Sequence, residues 1–223
     1  MQSKNKTTSQ LLILLAASIA GFVVLAWWSG SDWGQRLDQA ILRALLYTGE
    51  PARPLGPDWL REAGRDLTAL GSISVLVFIS LAVGGWLALK RRWRSVLAMA
   101  ATIIPGVLLS FGLKRLFSQP RPELIADVTQ TFTSSFPSSH AMASLIVYLA
   151  LADVISRQPG ARAVRHYLLF MALAASFIAG FSRLYLSVHW PSDVLAGWTA
   201  GAAWLALSAL LMHRLDFSRP SNR

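Results

Sequence analysis

The chain has 223 residues, 54% of them hydrophobic and 14% charged, with a mean hydropathy of +0.46. Soluble domains carry about a quarter charged residues, so this composition excludes an ordinary water-soluble globule and points to a membrane protein. The net charge of +10 comes from 21 Lys and Arg against 11 Asp and Glu. The basic residues fall in short segments between apolar runs, with no basic domain and no aromatic-interleaved basic face, which argues against a nucleic-acid partner. The absence of cysteine excludes disulfides and thiolate metal sites.

Six apolar segments follow in chain order, near Leu11–Trp28, Leu70–Leu89, Ser95–Leu113, His140–Ile155, Tyr167–Phe181 and Val194–Met212. Most approach the roughly 20 residues that a helix needs to cross about 30 Å of hydrocarbon. The fourth and fifth are short and are expected to extend past their apolar cores, with polar ends facing protein rather than lipid. The first follows Lys4 and Lys6. Its apolar stretch is longer than a usual signal-peptide core and no clean small-x-small cleavage site precedes Trp27-Trp28, so a retained helix with an interfacial tryptophan anchor is expected. The pattern predicts an all-α polytopic membrane protein, one membrane-embedded domain over residues 1–223, with six transmembrane helices.

Lysine and arginine bias orients the spans. Lys4 and Lys6, then Lys90, Arg91, Arg92 and Arg94, then Arg157, Arg162 and Arg165, and finally Arg214, Arg219 and Arg223 all fall on one side of a six-span arrangement. That side is expected to be cytoplasmic, with both termini, and the intervening segments external. The first external segment, about Ser29 to Ala69, carries Trp33, Leu37, Ile41, Leu42, Leu45 and Leu46 at near-helical spacing with Arg36, Asp38 and Arg43 between them. An amphipathic helix at the interface fits this pattern, broken by the Pro-rich stretch from Glu50-Pro51 to Pro57. It serves as a connector or as a lid for lipid access.

The other external segments hold Lys114, Arg121-Pro122, Pro137-Ser138-Ser139-His140, and Ser182-Arg183 through His189 to Asp193, all against span ends on the same face. Lys114, Arg121 and Arg183 can neutralise a dianion, and the arginine fork suits tetrahedral oxyanions. Ser138 and Ser139 precede an apolar helical run, whose first amides form an anion site with His140 in the first turn. His189 and Asp193 are four residues apart and share a face if the sixth helix starts early; a carboxylate on one imidazole nitrogen frees the other as nucleophile or base. Each residue also has a plainer role: Lys114 or Arg115 as a snorkelling residue, Ser138 or Asp193 as a helix cap, His189-Trp190 as an interfacial anchor. Those roles do not explain why three cations and two histidines share one face. His166 and His213 read as interfacial, Asp153 as the inner edge of the fourth helix, and Gly197 with Gly201 as a helix-packing step.

At these residues the chain resembles the type-2 phosphatidic acid phosphatase family. Its three motifs are a lysine followed after six residues by Arg-Pro, Pro-Ser-Gly-His, and Ser-Arg with a histidine after five further residues and an aspartate after three more. Here they read Lys114 to Arg121-Pro122, Pro137-Ser138-Ser139-His140, and Ser182-Arg183 through His189 to Asp193, with Ser139 in place of the glycine. Serine keeps the backbone N–H that the family's glycine offers to phosphate, unless the position needs a positive φ. The resemblance covers the last four spans.

The resemblance implies a lipid phosphatase of the bacterial inner membrane. His189 attacks phosphorus to form a phosphohistidine and Asp193 orients it. His140 acts as acid and then base, and Lys114, Arg121, Ser138, the Ser139 amide, Ser182 and Arg183 hold the phosphoryl oxygens. Three cations without an acidic cluster imply hydrolysis with no metal and no cofactor. Undecaprenyl pyrophosphate, phosphatidylglycerophosphate and phosphatidic acid all suit an external, membrane-embedded site, and lipid A phosphates remain open. The expectation leans toward undecaprenyl pyrophosphate or broad activity on lipid mono- and diphosphates. A phosphotransferase using the same phosphohistidine, and a non-catalytic lipid transporter or binder, are the alternatives; oligomeric state is not legible.

Overall fold

A computed structural model describes residues 2–47, 49, 52–122, 124–125, 134–157 and 162–214. Glu50, Pro51, Arg219 and Arg223, which entered the reading above, lie outside the described residues. The described residues form α1 (Gln2–Ser29), α2 (Asp32–Ala44), the two-residue strands β1 (Leu46–Tyr47) and β2 (Arg53–Pro54), α3 (Asp58–Thr68), a 3₁₀ turn (Ala69–Gly71), α4 (Ile73–Leu89), α5 (Trp93–Leu116), α6 (Ser139–Ser156), α7 (Arg162–Tyr185) and α8 (Pro191–Arg214). The protein is thus all-α and polytopic, apart from one short antiparallel pair of strands.

Five helices, α1, α5, α6, α7 and α8, are long and apolar enough to cross a membrane. The sixth candidate is the pair Asp58–Gly71 and Ile73–Leu89, which passes the same length and hydropathy test only when taken together and is bent by 52° at the break between them. The second apolar segment therefore starts its straight run at Ile73 rather than Leu70, because Ser72 caps α4: its Oγ accepts from the Val75 amide at 3.4 Å. The fourth and fifth spans extend as expected, reaching Ser139–Ser156 and Arg162–Tyr185.

Helix α6 is the centre of the bundle, touching α4, α5, α7 and α8, while α1 packs on α8 from outside. A Cβ at Gly197 would stand 2.5 Å from the Ser138 carbonyl, and one at Gly201 would stand 3.2 Å from the Met142 carbonyl. The Gly197–Gly201 step therefore brings α8 onto the start of α6 at backbone contact, the packing role expected of it. This crossing sets the second and third motifs side by side.

The segment between α1 and α4 differs from a plain connector. In α2, Trp33, Leu37 and Ile41 are 76%, 49% and 38% exposed, whereas Asp38 and Leu42 are 3% and 0% exposed. The apolar stripe faces outward, as an interfacial helix requires, and the inward face carries a carboxylate. Helix α3 follows beyond the Pro-rich stretch. Its Gly64 lies against the Tyr185 ring at the end of α7, where an added Cβ would meet Cδ1 at 2.9 Å, and Tyr185 Oη donates to the Leu55 carbonyl at 2.8 Å.

The loop before α6 is held by apolar packing. Phe136 is fully buried, its ring centroid 4.7 Å from Phe117 and 5.7 Å from Phe22 of α1. Helix α7 ends in a Schellman turn, with Val188 N–H donating to the Arg183 carbonyl at 3.1 Å and Ser187 N–H to Leu184 at 2.8 Å. Ser187 sits at φ 53°, the left-handed position that glycine fills at most such turns. Ser187→Val, β-branched at that φ, is expected to cost roughly 1–2 kcal/mol or more, and Ser187→Gly to be tolerated; thermal unfolding in detergent distinguishes the two. Phe136→Ala is expected to cost roughly 3 kcal/mol or more by opening a cavity under the same loop, read by the same measurement.

Candidate active site

The ends of α5 and α7 and the starts of α6 and α8 meet at one end of the bundle, and backbone bonds tie their motifs together. Ser135 N–H donates to the Gln119 carbonyl at 2.9 Å, and Ser138 N–H donates to the Asp193 carbonyl at 3.0 Å. Trp190 Nε1 donates to the Pro120 carbonyl at 2.9 Å. Three stretches far apart in sequence thus share one small volume.

Asp193 is the third residue of α8, after Pro191 at the first helical position, where proline is favoured. Its Oδ2 accepts from the Trp190 amide at 2.9 Å, the half of a capping box in which the third residue reaches back to the N-cap. The same oxygen lies 3.1 Å from His189 Nδ1 and accepts from Ser135 Oγ, which itself stands 3.2 Å from His189 Nδ1. The helix-cap role and the histidine-orienting geometry therefore coexist in one carboxylate. Asp193 is fully buried and His189 is 2% exposed.

The other ring nitrogen faces the cations. Arg121 Nη1 is 3.5 Å from His189 Nε2 and donates to the Val188 carbonyl at 3.0 Å. A guanidinium only donates, so Nε2 is the acceptor and Nδ1 carries the proton toward Asp193. Burial, reinforced by the positive field of Lys114, Arg183 and Arg121, holds the His189 imidazole well below the ordinary histidine range. The ring is neutral, with its free lone pair turned to the positive side of the site.

Lys114 Nζ donates to the Ser134 carbonyl at 2.8 Å, and Arg183 Nη1 donates to Thr68 Oγ1 at 3.0 Å. Ser138 precedes α6 as its N-cap, yet its hydroxyl makes no capping bond. The first bond of the helix is Met142 N–H to the Ser138 carbonyl at 3.0 Å, so the amides of residues 139–141 have no intrahelical acceptor. Ser138 Oγ, Ser139 Oγ and Arg183 Nε are buried without a hydrogen-bond partner among the described residues. Buried donors of this kind suit an anionic ligand better than a structural role. Ser139 is helical and absent from the positive-φ positions, so the serine found in place of the family glycine carries no backbone strain. Ser182 differs from the others: its hydroxyl donates back to the Ala179 carbonyl at 2.8 Å, leaving lone pairs rather than a proton for a ligand. His140 lies in the first turn of α6, electrostatically coupled to Arg183, His189, Lys114 and Arg121, with Gly71 of the 3₁₀ turn against its side chain. His166 is exposed on α7, and Asp153 pairs with Arg157 at 3.1 Å, both away from this cluster.

Three contributors to the cluster carried no signal in the sequence. Ser135 is one of several serines before Pro137; Thr68 and Asp38 lie in the segment between α1 and α4, Asp38 accepting from the Ser192 amide at 3.1 Å. Only the folded contacts single them out.

The chain is 28% identical over 181 residues to the phosphatidylglycerophosphatase B of Bacillus subtilis, covering 81% of this chain and 85% of that protein. It is 24% identical over 135 residues to the undecaprenyl-diphosphatase of Sulfolobus acidocaldarius, covering 58% and 61%. Its structure superposes on that of a transmembrane PAP2-type phosphatidylglycerolphosphate phosphatase from Bacillus subtilis with a TM-score of 0.79 at 26% identity, over 94% of this chain and 98% of that one. Residues 92–217, which include the candidate site from Lys114 to Asp193, match the family described as the PAP2 superfamily; the chain belongs to that superfamily.

Proposed function

We propose that this protein, as a single membrane-embedded domain, is a lipid phosphatase that removes phosphate from lipid mono- or diphosphates through a phosphohistidine at His189. The observation that carries the reading is the ring of His189, tied at Nδ1 to Asp193 and presenting Nε2 3.5 Å from Arg121. A neutral imidazole so held is a nucleophile without further activation.

In the first step the Nε2 lone pair attacks phosphorus and the bond to the lipid oxygen breaks. His140 gives that oxygen a proton, while the Nδ1 proton stays on the bond to Asp193 as the ring becomes cationic. Arg121 moves its contact from Nε2 to a phosphoryl oxygen, joined by Lys114, Arg183, Ser138 and the first amides of α6. In the second step water attacks phosphorus, His140 takes the water proton, and the P–N bond breaks to release inorganic phosphate and the neutral imidazole. Phosphoryl transfer asks for positioning and neutralisation of charge rather than covalent assistance, and three cations supply that neutralisation. The three cations take the part that a divalent ion would otherwise play at the phosphoryl oxygens, and the reaction on this reading needs no metal.

A lipid substrate is supported by the surroundings. An apolar cleft of about 580 Å³ between α4 and α5 runs from Ile73 and Val107 toward Ala88 and Val96, and Ile73 stands two residues past Gly71, which touches His140. The names of the relatives support phosphatidylglycerophosphate and undecaprenyl pyrophosphate as substrates. The lysine and arginine bias supports a multi-pass protein of a bacterial inner membrane, with cytoplasmic termini and the site external.

Purified protein in detergent with EDTA is expected to release phosphate from a panel of phosphatidylglycerophosphate, undecaprenyl pyrophosphate and phosphatidic acid. His189→Ala is expected to lower turnover by about a thousandfold or more; unchanged release by that variant overturns the assignment, and restoration of an EDTA-silenced enzyme by a divalent ion overturns metal independence. A second expectation concerns acid stability. Folded His189 titrates well below its ordinary value of 6.5, so between those two pKa values the unfolded chain binds more protons than the folded one. Stability contributed by the neutral ring is therefore present above pH 6.5 and falls as pH drops below it. The thermal midpoint of the parent should decline below that pH, more steeply than in His189→Gln.

A further inference from the structure

The proposed chemistry leaves one buried acid without a task. Asp38 is 3% exposed on the inward face of α2, where Oδ1 accepts from the Ser192 amide at 3.1 Å and Oδ2 accepts from Ser192 Oγ. Burying a carboxylate is costly unless its hydrogen bonds are supplied. Burial pushes the Asp38 carboxyl up, opposed by the two bonds from Ser192, and the nearby Asp193 charge adds to the rise. A second carboxylate at the start of a helix that Asp193 already caps adds repulsion, so the position is not explained by helix capping alone.

Ser192 is the second residue of α8 and the immediate neighbour of Asp193. Pro191 has no amide proton, so the Ser192 amide is the first of α8 that can donate. Asp38 takes that donor from 154 residues away in sequence and clasps the hydroxyl of the same residue. The clasp sets the rotation and depth of the first turn of α8, and with them the point from which the Asp193 side chain reaches His189. Thr68, at the other end of the external segment, reaches Arg183, so that segment touches the site at two separate places.

We infer that Asp38 is a positioning residue for the His189–Asp193 pair, acting through its two hydrogen bonds to Ser192, and that the external segment carrying it is part of the active site. The inference rests on the phosphohistidine reading above. Lys114, Arg121, Ser138 and Arg183 stand on other elements than α8, so a slipped first turn of α8 impairs the transfer step and leaves phosphate binding largely intact.

The experiment measures kcat and KM for Asp38→Ala, Asp38→Asn, Ser192→Ala, the Asp38→Ala/Ser192→Ala pair and His189→Ala, each per active site titrated by trapped phosphoenzyme where one forms, alongside thermal midpoints. Asp38→Ala is expected to lose about 30- to 100-fold in kcat, with KM within about threefold, since small misplacements cost on that scale. Asp38→Asn keeps an acceptor for the amide and a polar partner for the hydroxyl, so it should stay within about fivefold of the parent. Ser192→Ala should lose about 3- to 10-fold, and the pair should match Asp38→Ala alone, because the two residues act as one unit. Turnover per site within about twofold of the parent for Asp38→Ala, or a rise in KM at unchanged kcat, overturns the inference. If Asp38→Ala does not fold, Ser192→Ala decides: an unchanged kcat overturns it, and a loss at unchanged thermal midpoint supports it. An active His189→Ala sinks the phosphohistidine reading itself, whereas an inactive His189→Ala beside a fully active Asp38→Ala sinks this inference alone.

Discussion

Asp193 is a carboxylate with no exposed surface at one end of an apolar bundle, and burying such a group is costly unless donors are supplied; here they converge on Oδ2, while Oδ1 has no hydrogen-bond partner among the described residues. Oδ2 receives three groups, the Trp190 amide, His189 Nδ1 and Ser135 Oγ, while the main-chain carbonyl of the same residue receives the Ser138 amide. The donors come from two stretches, 189–190 at the start of α8 and 135–138 before α6. Satisfying one buried acid therefore brings the second and third motifs into register. The close crossing at Gly197 and Gly201 makes the same demand from the packing side, since the Ser138 carbonyl lies where a side chain at Gly197 would be.

Charge follows from that arrangement. Three cations crowd a site beside which, among the described residues, the carboxylates are Asp193 and Asp38, so the site is positive and partly desolvated. A histidine in that field stays neutral, which is the form that can attack phosphorus on the proposed reading. The same excess of buried donors, Ser138 Oγ and Arg183 Nε among them, makes an incoming phosphoryl group the natural partner. Binding and activation draw on one feature, the concentration of positive charge and free N–H and O–H groups at four helix ends.

The segment between α1 and α4 is drawn into the same logic. Its outward apolar stripe at Trp33, Leu37 and Ile41 suits the interface, while its inward face brings Asp38 to Ser192 and its far end brings Thr68 to Arg183. The 52° bend before α4 then sets the 3₁₀ turn over His140. An interfacial connector and a wall of the site are here the same piece of chain.

Composition and patterning alone determined much of this protein. Apolar run length settles the helical, membrane-spanning class, because hydrocarbon admits little else for an apolar run of this length, and the six expected segments coincide with six helical stretches. Motif spacing brought Lys114, Arg121, Ser138, His140, Arg183, His189 and Asp193 to notice, because several charged groups at span ends are costly unless they share a task. Spacing in sequence carries no information about contacts made across more than a hundred residues. Ser135 and Thr68 therefore looked like ordinary loop polar residues and Asp38 like one charge on the polar face of an amphipathic helix, while Ser182, expected to hold a phosphoryl oxygen, spends its proton on its own helix. The Schellman turn at Ser187 was hidden because the residue is not glycine, and the bend at Ser72 because the apolar run continues through it. Tertiary structure decided these points: the bonds to Ser192, Arg183 and His189 exist only once α2, α3, α7 and α8 have packed, when water is gone and most buried polar atoms find their partners in the protein.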